Sequence, residues 1–282
     1  MMKQQHLIFI LFVIFSCSLE KEIEIDLPDF ENGYVVEAYL QPNQSFEMLI
    51  TRTYPFYEVF DSNLFKVENI NELLVNNVEG ILKVNGTSYV IDNKLIFKPD
   101  NFVIHNYTTS NNITFKEGDT ISIELTFEDG TEIEAHTYIP SITPIDSVVL
   151  ICNEENIGRE LTYITTDSTS VQYYRRIIGK RNESKTYTFQ DFPFDNDLSD
   201  GGKMVFGSGY DYYPKDTLYS RIIHITEDYY LFLQSVNGNI SANIQPLSQP
   251  GKIYSNVNGS DKVTGIFTGL AKSEVVKIIS EK

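Results

Sequence analysis

Thr120-Ile121-Ser122-Ile123-Glu124-Leu125-Thr126-Phe127-Glu128 decides the fold class. Ile121, Ile123, Leu125 and Phe127 fall on one side of an extended chain, and Thr120, Ser122, Glu124, Thr126 and Glu128 on the other. A strict period of two is the mark of a strand with one dry and one wet face. Asp129-Gly130 follows, a pair suited to the positive backbone angles of a tight turn, and Thr131 to Tyr138 then returns as the second arm of a hairpin. Working outward, Gly33–Leu40 and Ser45–Arg52 read as strands around a Gln41-Pro42-Asn43-Gln44 turn. Short strands with turns at this spacing predict a β-sandwich.

Ile139-Pro140-Ser141-Ile142-Thr143-Pro144 resists both ladder and helix, and it is the natural boundary. Beyond it, Ser147–Ile151, Val171–Gly179, Thr217–Ile225, Val263–Gly269 and Glu274–Ile279 are strand-like. One helix interrupts them. Thr226 is its cap, Glu227 and Asp228 suit its positive end, and Tyr229, Phe232, Leu233 and Val236 repeat at helical spacing, with Gly238-Asn239 as the expected stop. The fold class is therefore mainly β: an immunoglobulin-like β-sandwich over residues 31–142, then a second β-rich domain with one main helix over 143–282.

The start of the chain gives an address. Lys3 precedes an uncharged apolar run from Leu7 to Phe15, too short to span a bilayer and of the length of a secretory leader. Ser16-Cys17 then matches the bacterial lipoprotein cut, predicting a leader of residues 1–16 and an acylated Cys17. An ordinary secreted protein with an incidental Cys17 is the alternative. Residues 17–30 form an acidic tether, readable either as a surface-export signal or as a solvated linker. With Cys17 acylated, Cys152 has no disulfide partner, and its apolar strand context predicts a buried, inert thiol.

The net charge is −17, which argues against nucleic acid and against direct adsorption on anionic lipid. No zinc-helix, phosphate-loop or serine-elbow motif occurs, and no cofactor is indicated. His105, His136 and His224 are widely spaced and read as edge or solvent histidines. Asp195-Asn196-Asp197-Leu198-Ser199-Asp200-Gly201 offers oxygens at alternate positions, with Asp195, Asp197 and Ser199 as calcium ligands. Yet its glycine is one place late and Phe206 stands where a bidentate Glu belongs, so a solvated acidic turn is the simpler reading. Tyr210, Tyr212 and Tyr213, in a glycine-flanked run ending at Pro214, are the candidates for partner recognition, against ordinary packing.

Several segments occur in a telling order: Cys17 with Ile25-Asp26-Leu27-Pro28; Tyr34–Leu40; Ile139-Pro140 leading to Ile145-Asp146-Ser147-Val148; Tyr173-Tyr174-Arg175; Asp197 to Gly201; Tyr254-Ser255-Asn256-Val257; and Gly265-Ile266-Phe267. Together they resemble the Bacteroidota lipoprotein family known as domain of unknown function 4249, with Asn258–Lys262 departing from its pattern. The resemblance implies an outer-membrane, lipid-anchored protein facing the cell surface or the periplasm, and a TonB-dependent receptor barrel as partner. It carries over no catalytic residue. The expectation is a non-catalytic accessory or binding component; a surface hydrolase with a carboxylate site and a structural, adhesin-like module are the alternatives.

Overall fold

The computed structural model describes residues 32–53, 70–99, 103–181, 185–197, 199–244 and 251–280. Cys17, the leader and the tether lie outside them. The chain is mostly β, with one main helix.

The decisive alternation forms β6 (Thr120–Phe127), whose Ile121, Ile123, Leu125 and Phe127 are buried. Gly130 takes φ +81 in the turn, Phe127 N–H donates to Thr131 O, and β7 (Glu132–Tyr138) pairs back. β3 (Val78–Val84), β4 (Thr87–Lys98) and β5 (Val103–Thr109) extend the sheet to β2 (Glu47–Arg52) and β1 (Tyr34–Leu40). A one-turn helix, α1 (Ile70–Leu73), joins β2 to β3 across the sequence. β7 then returns toward the far side of the sheet. Glu134 and Asn258 exchange both backbone hydrogen bonds at 2.8 Å, and Gly269 N–H donates to Thr137 Oγ1 at 2.9 Å. The sheet thus rolls around one apolar core that includes Val36, Phe46, Met48, Tyr107, Ile123 and Phe267, a sandwich-like arrangement.

β14 (Val263–Ile278) is the spine. The two closing strands read from the sequence are one strand of 16 residues. Its first half runs parallel to β1, and it pairs antiparallel to β13 (Thr217–Ile225) from Leu270 onward. Val263 to Ala271 is buried almost without interruption, because both faces of a central parallel strand are covered. Gly265 adopts φ +144 at the closest approach to β1, where a Cβ would lie 1.9 Å from Val36 O. β10 (Tyr173–Arg181) and β11 (Thr186–Asp195) complete the order β11-β10-β13-β14-β1-β2-β5-β4-β3-β6-β7. The expected boundary at 142/143 falls between β7 and the strand that starts at Ile145, and β14 serves strands on both sides of it.

Helix α2 (Glu227–Ile244) starts where the sequence indicates, with Tyr229 N–H on Thr226 Oγ1 at 3.3 Å. It does not stop at Gly238-Asn239. Gly238 keeps a helical backbone, and Asn239 Nδ2 donates to Ser235 O one turn back at 3.0 Å. Tyr229, Phe232 and Leu233 pack on Ile223, Ile225, Ile266 and Leu270 of the sheet. On the opposite face of β10, β13 and β14 lies a second sheet of three strands, β12 (Lys203–Tyr212), β9 (Gly158–Thr165) and β8 (Ile145–Cys152). Val148, Leu218 and Ile279 meet in one layer, and Ile164, Tyr174 and Ile222 in the next.

Candidate recognition surface

The three-stranded sheet turns one face inward and leaves the other bare. Its register sets Ser147, Tyr163 and Val205 in one outward row, Val149, Leu161 and Gly207 in the next, and Ile151, Arg159 and Tyr210 in a third. Val149, Ile151, Val205 and Tyr210 are all exposed, Val205 at 56% and Tyr210 at 45%. The Arg159 guanidinium lies 5.8 Å from the centroid of the Tyr210 ring. A Cβ on Gly207 would come within 2.7 Å of Arg159 Nη2, so the missing side chain makes room for this arginine. Tyr213, just past the strand, is exposed too, with Lys180 Nζ 4.7 Å from its ring centroid. Exposed aliphatic and tyrosyl groups on adjacent strands, with an arginine among them, are the composition of a contact surface.

Two of the three tyrosines singled out from sequence stand on or beside this face; Tyr212 does not. Gly207 to Tyr212 is strand rather than loop, and its register on β9 shifts between Tyr210 and Tyr212, so the two do not share a face and Tyr212 points into the sandwich, fully buried. Its hydroxyl donates to Glu160 Oε2 at 3.1 Å. Burial, then the charge of Glu160, pushes the Tyr212 pKa far up. Glu160 is itself fully buried. Its Oε1 accepts from Ser220 Oγ at 2.7 Å and from Thr162 Oγ1, and it lies 3.4 Å from Arg176 Nη2. Arg176, also fully buried, donates to Gln190 Oε1 and rests over the Phe206 ring at 5.4 Å, while its Nε has no partner among the described residues. Burial lowers the Arg176 pKa against the pull of Glu160. The signal for this network was present in the period-two spacing of Tyr174, Arg176 and Ile178, which puts Arg176 on the inward face.

The acidic turn is built from within. Asn196 is buried: its Oδ1 accepts from Gln172 N at 2.8 Å, and its Nδ2 donates to Asp167 O at 2.7 Å and Ser170 O at 3.1 Å. Asp195 Oδ2 accepts from Tyr230 OH at 3.1 Å and Oδ1 from Asp197 N at 3.2 Å, so Asp195 already serves the helix and the turn. Asp197 is exposed, Ser199 is half-buried, and Leu198 lies outside the described residues. Cys152 is half-buried rather than buried, since it ends the outer strand β8. His136 is exposed as expected and His105 is half-buried. His224 is buried instead, stacked on Tyr174 at 4.9 Å, because β13 is covered on both faces.

A carboxylate mechanism requires two acids with their pKa values driven apart. Among the described residues Glu37 is the carboxyl whose pKa is raised, by burial. Its neighbourhood holds Tyr39, Tyr229 and Arg175, and Arg175 grips Asp191 through Nε at 2.6 Å and Nη2 at 2.7 Å.

The family model described as Domain of unknown function (DUF4249) matches residues 20–275. The chain belongs to that family. No curated protein matches this DUF4249 member. Among solved structures, a cytokine receptor complex is similar at 11% identity over 69% of this chain and 86% of its own, with a TM-score of 0.25. A DUF4785 family protein from Legionella pneumophila is similar at 15% identity over 67% and 52%, with a TM-score of 0.23. The native conformation of E. coli alpha-2-macroglobulin is similar at 9% identity over 70% and 13%, with a TM-score of 0.22.

Proposed function

We propose that this DUF4249 member is a non-catalytic, lipid-anchored outer-membrane lipoprotein that docks on a TonB-dependent receptor barrel as an accessory component. The observation that carries the reading is the outward face of β8, β9 and β12, where Val149, Ile151, Val205 and Tyr210 stand bare on a chain of net charge −17. Exposed aliphatic groups lose free energy in water and recover it only against a partner. The leader and Ser16-Cys17 supply the address. Among the described residues no helix is long and apolar enough to cross a membrane, which leaves the acyl group as the proposed hold.

The test is capture of a TonB-dependent receptor barrel by the purified lipoprotein. Val205→Asp and Tyr210→Asp, both on exposed positions, should each weaken capture by about 30-fold, equivalent to ~2 kcal/mol, with the unfolding midpoint unchanged. Unaltered capture by both variants removes this face from the account. Turnover of a glycan or peptide by the purified protein overturns the non-catalytic reading.

A further inference from the structure

A second site lies away from that face. The start of α2 and the outer side of the β6–β7 hairpin border a cleft of about 1040 Å³, within the size range of small-molecule sites. Its carboxylates are Glu227 and Asp228, set among hydroxyl, amide and imidazole groups that can donate or accept. His224 lines the cleft and is only 7% exposed. Its Nδ1 sits 2.8 Å from Ser141 O, and a carbonyl oxygen only accepts, so the proton is on Nδ1. Burial lowers the His224 pKa and keeps the ring neutral, and Nε2 is then a fixed lone pair. Among the described residues nothing donates to it.

Glu227 and Asp228, in the first turn of α2, line the same cleft. A helix N-terminus ordinarily draws anions, but these two carboxylates reverse the sign of the field. Tyr173 OH donates to Glu227 Oε1 at 3.2 Å, and Tyr254 OH and Asn256 Nδ2 donate to Asp228, holding both acids in place with lone pairs to spare. The cleft's one lysine, Lys83, is ion-paired with Glu124. Tyr138, exposed, and Tyr173, half-exposed, add two aromatic faces to the wall. The charges of Glu227 and Asp228 reach the Tyr138 hydroxyl, whose pKa rises through burial and then through these two acids.

We propose that this cleft binds a cationic, donor-rich group, an alkylammonium or a guanidinium, between the Glu227–Asp228 carboxylates, the Nε2 lone pair of His224 and the rings of Tyr138 and Tyr173. Three acceptors in fixed positions match the several N–H donors of such a cation, and the tyrosine faces attract its charge. The group has two sources: a free polyamine, or a Lys or Arg side chain on a partner's loop.

The full mature chain is titrated by calorimetry with spermidine and with a Gly-Arg-Gly amide, using Gly-Gln-Gly amide as the neutral comparison. Saturable binding of either cation is expected, and the tighter one identifies the source. Glu227→Gln, on an exposed position, should weaken it about tenfold. Glu154→Gln, an exposed acid in the β8–β9 turn outside the cleft, should leave it within about twofold, so that general attraction to an acidic surface is separated from the site. His224→Gln should also weaken binding where its thermal unfolding matches the parent; Glu227→Gln decides the matter where it does not. Absence of saturable binding by both cations, equal loss in Glu227→Gln and Glu154→Gln, or equal binding of the glutamine peptide overturns the proposal.

Discussion

Glu160→Gln tests the reading of the sandwich interior most sharply. The change keeps the shape of the side chain and removes its charge. Thr162, Ser220 and Tyr212 are hydroxyl donors and rotate to accept from the new amide, so their share of the loss is small. Arg176 has no such freedom. It stays charged, fully buried and 3.4 Å from a group that no longer answers it. An uncompensated buried charge costs about 3–5 kcal/mol, and that is the expected loss in urea unfolding. Removing both charges at once, in Glu160→Leu/Arg176→Met, should return stability to within about 2 kcal/mol of the parent, because an apolar pair needs no desolvation of ions. The double-mutant cycle, closed with Glu160→Leu and Arg176→Met alone, then shows coupling above about 2 kcal/mol. Tyr212→Phe, which removes one donor from a carboxylate that keeps three others, should cost about 1.5 kcal/mol and leave barrel capture intact. A Glu160→Gln loss below about 1 kcal/mol, or an additive double variant, refutes the argument.

Gly265→Ala should destabilise by at least about 2 kcal/mol, since a Cβ there meets Val36 O at 1.9 Å at φ +144, whereas Gly238→Ala, with open space around it, should stabilise by about 0.5–1 kcal/mol; chemical denaturation of the two variants side by side checks the contrast. Burial holds the pKa values of His224 and His105 below the ordinary value, so the unfolded chain takes up protons below about pH 6.5 that the native state refuses. Stability should be full above that value and fall as pH drops through it, by up to about 1.4 kcal/mol per pH unit for each group; urea midpoints at pH 7.5, 6.5 and 5.5 should show the fall, and His224→Gln should reduce it. Cys17→Ser should move the protein from the membrane to the soluble fraction, and membrane retention of that variant would remove the anchor.

What sequence reading recovers here depends on how local the cause is. The β6–β7 hairpin was legible because alternation and Asp129-Gly130 act within a few residues, and the start of α2 because Thr226 caps its own first turn. β11 and β12 were not, since Pro193 and the glycines at 207 and 209 are poor strand signals that register partners override. β14 looked like two strands because its buried first half and its alternating second half answer to different neighbours. Tyr212 and Tyr213 differ by one position and by everything else: one points inward to Glu160, the other lies in water. Which tyrosine faces which way depends on a register with β9 some fifty residues earlier, and no local rule supplies it.

The pairing of β14 with β1 has a consequence for how the molecule is made. Tyr34 meets Val263, a partner synthesised 229 positions later, and the thirteen other strands among the described residues emerge before the one that sits mid-sheet between β13 and β1. Until β14 arrives, β1 and β13 each present an open edge, the kind of surface on which chains join to one another instead of to themselves. Closing so long a loop is slow, so final assembly waits on the last strand rather than on local hairpins. A chain stopped short of Val263 would therefore lack not a tail but its middle.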